Sequence, residues 1–94
     1  MLTILVLNCG SSSVKYQVIR MSGENHSVLA KGLVERIGLA DAAITHKPAD
    51  KPVYSAVRGI PDHTSGINHI INLLTDPLHG VIGSLTEISA AAAT

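Results

Sequence analysis

The segment from Asn8 to Lys15, which reads N-C-G-S-S-S-V-K, most constrains the fold because it separates two runs of strand-forming residues. The preceding run contains four unbroken apolar residues, 4–7, which is typical of a strand buried on both faces. After Lys15 the residues alternate between apolar and polar, as they do in a half-buried strand. The sequence therefore predicts two adjacent strands joined by a short polar bend near the N-terminus.

The bend concentrates groups that suit a polyphosphate with its metal ion. Asn8 offers an amide oxygen to a hard cation such as Mg²⁺ or to its water shell. Gly10 is expected to adopt a backbone conformation denied to other residues and to let a phosphate approach closely. The N–H groups and hydroxyls of Ser11, Ser12 and Ser13 can surround an anion. Lys15 would supply a positive charge to a phosphoryl oxygen.

Spacing excludes the two commonest nucleotide-binding motifs. A Walker A loop needs G-x-x-x-x-G-K-[ST] at the start of a helix, whereas this bend has one glycine and precedes a strand. The dinucleotide pattern G-x-G-x-x-G is also missing. On the residues alone, an ordinary turn between two strands stays open as the alternative to a phosphate loop.

The middle of the chain predicts further extended segments. Residues 22–25 are a turn signal, and Val28 to Ile37 then read as a third strand, which completes an antiparallel three-strand meander. Residues 42–46 and 53–57 predict a hairpin. We expect this hairpin at the edge of the sheet because Pro48 and Pro52 lie between its strands, and prolines are tolerated at an edge.

One helix follows the hairpin. Asp62 is a plausible N-cap, and apolar residues recur at helical spacing, at Ile67, Ile70, Ile71 and Leu74. Asp76-Pro77 ends the pattern, since proline cannot continue a helix. We expect the apolar stripe to pack on the sheet, which makes the fold class α/β.

The composition limits both the core and the partners. The chain has 94 residues, no Phe or Trp, and two Tyr, so its core must be built from aliphatic residues and would be marginal if the chain stood alone. A formal net charge of zero gives no sign of nucleic-acid or membrane-surface binding. The first apolar run is too short for a secretory signal or a membrane span, so we expect a cytoplasmic protein.

The single cysteine and the histidines carry little functional signal. Cys9 cannot form an internal disulfide and is expected to be a small buried residue beside the turn. None of the five histidines pairs at i, i+4, so a zinc site is not expected. Surface or capping roles are expected for His63 and His69, both on the predicted helix.

The segment from Leu5 to Gln17 resembles the N-terminal signature of acetate kinases, N-[AC]-G-S-S-S-x-K-[YF]. The similarity continues through residues 29–38 and the helix after Asp62, so it spans about residues 2–89. Tyr16-Gln17 and residues 35–38 are more similar to acetate kinases than to propionate or butyrate kinases.

The resemblance implies a ribonuclease-H-like domain of the actin-like ATPase type, present here only in part, with residues 1–89 as its N-terminal portion. Residues 90–94, A-A-A-A-T, depart from the family pattern and have no structural signal of their own. The implied reaction is reversible phosphoryl transfer from ATP to acetate, which gives ADP and acetyl phosphate with magnesium. The implied assembly of the longer protein is a homodimer.

Carried over by motif position, Asn8 would bind magnesium, and Gly10, Ser11, Ser13 and Lys15 would line the phosphate path. The substrate-binding arginines and the distal acidic residues of the family have no counterpart in this sequence. No catalytic residue is therefore assigned, and we expect the 94-residue chain alone to be inactive. The alternatives are part of a propionate or butyrate kinase, or an actin-like or chaperone-like nucleotide-gated module that phosphorylates no acyl group.

Overall fold

The computed structural model describes residues 2–93, with the side chain of residue 93 left aside. In chain order its elements are β1 (Leu2–Cys9), β2 (Val14–Ser22), β3 (Asn25–Glu35), β4 (Ala42–Pro48), β5 (Tyr54–Arg58), α1 (His63–Leu74) and β6 (Ala90–Ala93), with one 3₁₀ turn at Leu85–Glu87. The strands form a single mixed sheet in the order β5-β4-β3-β2-β1-β6. This architecture is that of a partial actin-like ATPase fold, as expected.

The meander of β1, β2 and β3 is antiparallel throughout, which confirms the prediction. The turn between β2 and β3 contains Gly23, whose φ of 62° lies in the left-handed region that glycine adopts without strain. The third strand ends two residues earlier than predicted. Arg36 adopts a left-handed φ of 59° directly after Glu35, and its guanidinium pairs with Asp41 on the surface.

The predicted edge hairpin is confirmed as β4 and β5, which pair in antiparallel fashion with β5 at the edge. The strand after the first bend is also confirmed. The first strand is buried less completely than predicted, because Leu5 is buried whereas Ile4, Val6 and Leu7 are half-buried.

Helix α1 begins where the sequence predicts. The Asp62 carboxylate accepts a hydrogen bond of 2.8 Å from the Ser65 N–H, and this bond lowers the pKa of Asp62. Ile70 and Leu74 are fully buried against the sheet, while Ile67 and Ile71 are half-buried. The core on this face consists mainly of β-branched and leucine side chains, and Tyr16 is its largest fully buried side chain.

Residues 90–93 form a strand that the sequence does not signal. Strand β6 pairs in parallel with residues 4–7 of β1, and the Ser89 N–H donates a 2.7 Å hydrogen bond to the Thr3 carbonyl just before it. Alanine has little strand preference, so pairing with β1 rather than side-chain chemistry explains this element.

A buried polar link crosses the sheet on the helix side. Tyr16, Gly32 and His46 are Cα partners on adjacent strands, and the tyrosine ring passes over Gly32 to place its hydroxyl 2.5 Å from His46 Nδ1. His46 Nε2 lies 2.8 Å from the carbonyl of His79. Both linked side chains are almost inaccessible to solvent. The sequence predicts this role for neither of them.

Within the described residues, no helix has the length and hydrophobicity that crossing a membrane requires.

Candidate functional site

The candidate site is the loop of residues 10–13 together with the strand ends that it joins. Cys9 and Val14 are Cα partners, so these four residues form the whole connection between β1 and β2. Asn8 and Lys15 are the next pair, directly opposite each other, and both are exposed. Paired residues point to the same face of a sheet, so the amide and the ammonium share one side of the hairpin.

Two backbone hydrogen bonds and one side-chain contact hold the loop in place. The Gly10 N–H donates to the Ser13 carbonyl at 2.8 Å and closes the bend, while the Ile37 N–H donates to the Ser12 carbonyl at 2.9 Å. On the other side, His63 Nε2 lies 2.8 Å from the Gly10 carbonyl. A carbonyl can only accept, so this ring nitrogen carries the proton. The loop is thereby attached both to the segment after β3 and to the first turn of α1.

Several donors in the loop have no partner within residues 2–93. There the N–H groups of Ser11 and Ser12 and the hydroxyls of residues 11–13 make no hydrogen bond, and the Lys15 ammonium makes neither a hydrogen bond nor an ion pair. Consecutive N–H groups that lack backbone partners are the elements of an anion-binding concavity. The backbone N–H groups, the hydroxyls and the ammonium can therefore donate together to the oxygens of one phosphate.

The reason for a glycine at position 10 differs from the expectation. Its φ is not among the positive values of the chain, so it adopts no conformation that other residues are denied. A Cβ at this position would instead lie 2.8 Å from the Ser13 hydroxyl oxygen. The glycine thus leaves room for the present position of the Ser13 hydroxyl, which a side chain here would displace.

The expectation of a buried Cys9 is wrong. Its side chain is exposed at the end of β1. Its cross-strand partner Val14 is fully buried, so only the β1 member of this pair is exposed.

His63 is the site residue that sequence reasoning missed, since only a surface or capping role was expected for it. It contacts a loop residue that lies 53 residues earlier in the chain, and a local sequence pattern cannot indicate a contact between residues so far apart in sequence. In the part of the chain that the structure describes, no three His, Cys, Asp or Glu residues converge.

Replacement of His63 by alanine is expected to loosen the loop. The Gly10 carbonyl would lose its side-chain donor, so the backbone bonds that close and anchor the loop should open more often. The amides of Gly10 and Ile37, which donate those bonds, should then exchange with solvent several-fold faster. The bond is exposed, so the free energy of unfolding should change by no more than about 1 kcal/mol. Hydrogen exchange measured by NMR tests this, with His69→Ala on the same helix as the control because His69 makes no hydrogen bond within residues 2–93. Equal exchange rates in both variants would contradict it.

Comparison with known proteins identifies relatives that match almost the whole length of this chain. The model of the acetokinase family matches residues 3–92. The acetate kinase of Moorella thermoacetica is 55% identical over 87 residues, which are 93% of this chain and 21% of that protein. Acetate kinase 2 of Clostridium perfringens is 51% identical over 89 residues, which are 95% of this chain and 22% of that protein.

Solved structures give the same result. The crystal structure of Porphyromonas gingivalis acetate kinase superposes with a TM-score of 0.90 at 35% identity, covering 99% of this chain and 23% of that one. A propionate kinase from Francisella tularensis superposes with a TM-score of 0.72 at 30% identity, covering 99% of this chain and 22% of that one. The chain therefore spans about a fifth of the length of the relatives that it matches.

Proposed function

Because this chain belongs to the acetokinase family, as its match over residues 3–92 shows, we propose that its first hairpin binds the phosphates of ATP for phosphoryl transfer to acetate. The observation that carries the proposal is the loop itself. It presents the partner-free N–H groups of Ser11 and Ser12 beside the unpaired ammonium of Lys15, within residues 2–93. Phosphoryl transfer depends mainly on positioning and on neutralising charge, and such a loop can contribute to both.

The proposed roles follow from placement. Ser11 and Ser13 donate to phosphate oxygens, and Lys15 adds a positive charge that attracts the same phosphates. Gly10 keeps the entrance to the loop free of a side chain, so that Ser13 retains its position. His63 acts indirectly, by holding the Gly10 carbonyl and thus the loop backbone.

Magnesium fits the site as part of a metal–nucleotide complex. Asn8 would supply one amide oxygen, and the remaining ligands would be water and phosphate oxygens, which is the usual composition of such sites. Asn8 lies directly opposite Lys15 on the hairpin, so a magnesium ion at Asn8 would lie near the Lys15 ammonium. Phosphate oxygens between these two positive charges would offset their repulsion. When bound, the metal would neutralise part of the phosphate charge.

The acceptor and the setting of the reaction are proposed from the relatives. Acetate is favoured over propionate because the curated relatives above are named acetate kinases, and the acetate kinase structure superposes more closely than the propionate kinase structure. We place the reaction in the cytoplasm, since it uses ATP, and propose a homodimer as the assembly of a full-length relative of this chain.

The 94-residue chain is proposed to bind nucleotide weakly and to lack turnover. It holds groups for one side of the transferring phosphate, and transfer needs further charges brought into contact with the same phosphoryl group. No acyl-binding residue is assigned in this chain.

Titration of the labelled 94-residue chain with ATP and magnesium is expected to shift the backbone amides of residues 10–13, with a dissociation constant of about 1 mM. Lys15→Gln should weaken binding roughly tenfold, because it removes a charge-assisted contact. In the same samples, a hydroxylamine trap should detect no acetyl phosphate.

The matched control is Arg58→Gln, which removes a positive charge from β5 at the edge of the sheet, away from the loop. It should leave the ATP-dependent shifts unchanged. Shifts that are absent from residues 10–13, or that are weakened equally by both substitutions, would overturn the proposed phosphate site.

A further inference from the structure

The sheet face opposite α1 carries a group of lysines that the phosphate loop does not account for. We define the lysine face as the six residues Lys15, Gln17, Lys31, Leu33, Thr45 and Lys47, which line a shallow depression of about 460 Å³ on β2, β3 and β4. In one row across the sheet Gln17 pairs with Lys31, and Lys31 pairs with Lys47. In the next row Lys15 pairs with Leu33, and Leu33 pairs with Thr45.

The pairing of Lys31 with Lys47 is unfavourable in isolation. Like charges directly opposite each other on neighbouring strands repel, with Cβ atoms about 4.5–5.5 Å apart. Lys15 is the diagonal neighbour of Lys31, at roughly 7–8 Å. Three ammonium groups thus lie on a small area of a chain whose formal net charge is zero.

Nothing in the described part of the chain neutralises these charges. None of the three lysines makes an ion pair or a hydrogen bond within residues 2–93, whereas Lys51 is anchored by a 2.7 Å bond to the Gly80 carbonyl. No Asp or Glu lines the depression. Strand alternation puts Glu35 on the same face at the end of β3, but its cross-strand partner is Ala43 and it forms no ion pair there.

From this arrangement we propose that the lysine face binds a linear polyphosphate, either as a free anion or as the phosphate tail of a nucleotide. The three charges lie on three adjacent strands, with Lys31 directly opposite Lys47 and Lys15 diagonal to Lys31, and this succession suits an extended anion with a charge on each unit. Lysine is a point-charge partner for phosphate, whereas planar carboxylates are matched better by arginine, and this face has no arginine. Gln17 and Thr45 add neutral hydrogen-bonding groups beside the charges.

The lysine face adjoins the phosphate loop, because Lys15 belongs to both. It is nevertheless a separate surface, since Lys31 and Lys47 lie on β3 and β4 and take no part in the loop. A polyphosphate held there needs neither the metal nor the N–H groups of the bend. The two sites can therefore be tested independently.

The test is a titration of the labelled 94-residue chain with sodium tripolyphosphate without magnesium, followed by backbone amide shifts and calorimetry. Shifts are expected along residues 15–17, 31–33 and 45–47, with an affinity that falls as salt is added. The double substitution Lys31→Gln and Lys47→Gln should weaken binding roughly tenfold. ATP without magnesium forms a second arm: competition with tripolyphosphate would identify the nucleotide tail as a ligand, and its failure would identify the free anion.

Arg58→Gln is the matched control, because Arg58 lines a different depression, beside α1. It should change the tripolyphosphate affinity less than twofold. Equal weakening by the control and the double variant would show general charge attraction and overturn the proposal, as would shifts that avoid the lysine face. Magnesium–ATP shifts at residues 11–13 should persist in the double variant, so failure of the phosphate loop and failure of the lysine face give different results.

Lys47→Glu provides a readout that does not depend on lost binding alone. It places a carboxylate opposite Lys31, so the urea midpoint should rise while tripolyphosphate binding weakens at least tenfold, as in the double variant, which lowers the charge of the face by the same amount. A variant that is no more stable than the parent, and that still binds, would also overturn the proposal.

Discussion

Substitution of Gly32 by alanine is expected to leave little folded protein. A Cβ at this position would overlap the Tyr16 ring, the Tyr16 hydroxyl and the carbonyl oxygen of Thr45 on the neighbouring strand. The ring cannot turn away without losing its bond to His46, and the carbonyl cannot move without disturbing the pairing of β3 with β4. Overpacking in a rigid core costs about 1–3 kcal/mol and occasionally more, and this position combines two obstacles. We expect a loss of at least about 3 kcal/mol in the free energy of unfolding.

Urea unfolding followed by circular dichroism measures this effect. The control is Gly59→Ala, because a Cβ at Gly59 would meet atoms no closer than 3.8 Å and its φ is not positive. That variant should unfold within about 0.5 kcal/mol of the parent. If Gly32→Ala kept the midpoint of the parent, the tyrosine ring would not cross the strand at Gly32.

Local patterns were sufficient to predict most elements of the fold. The apolar runs and the glycine-containing turns predict the meander, and Asp62 with the spacing of Ile70 and Leu74 predicts the helix. Each of these signals lies within one element or between neighbours in the chain. Element ends were less accurate, because the left-handed backbone at Arg36 ends β3 and nothing in the sequence marks it.

Features that depend on distant parts of the chain could not be predicted in this way. His63 meets Gly10 across 53 residues, and Tyr16 meets His46 across 30. The strand at residues 90–93 forms because β1 offers a free edge, not because alanine favours strands. For the site, the motif was sufficient to name Asn8, Gly10, Ser11, Ser13 and Lys15, and their placement on one hairpin agrees with it. Their binding roles remain predictions.

The stability of this chain is expected to fall as the pH is lowered below about 6.5, before its carboxylates titrate. Burial lowers the pKa of His46, and the nearby positive charges of His79 and Lys51 add to the effect, although the hydrogen bond to the His79 carbonyl partly opposes it. The unfolded chain therefore takes up a proton at His46 at a higher pH than the folded chain does. The free energy of unfolding should decrease by up to about 1.4 kcal/mol for each pH unit in this window.

The hydrogen bonds explain why the folded state excludes the proton. The His79 carbonyl can only accept, so His46 Nε2 carries the hydrogen, and neutral Nδ1 then accepts from the Tyr16 hydroxyl. Protonation of Nδ1 would place a charge on the buried ring and turn Nδ1 into a donor. The Tyr16 hydroxyl would then have to accept, and its own proton would lose its acceptor in a site without solvent. The same burial raises the pKa of Tyr16 well above its usual value, so stability should also fall as the pH rises above about 10, where the unfolded chain loses that proton.

Urea unfolding between pH 5 and pH 7.5, about the range in which histidine titrates, measures the acid side of this dependence. His26→Gln should keep the slope, because His26 is exposed at the start of β3, whereas His46→Gln should reduce it even if the variant is less stable overall. NMR titration of the His46 ring in the parent chain provides a second measurement that needs no substitution, and its midpoint should lie below 6.5. A midpoint above 6.5, or a slope that survives in His46→Gln and disappears in His26→Gln, would mean that the Tyr16–His46 link does not exclude the proton.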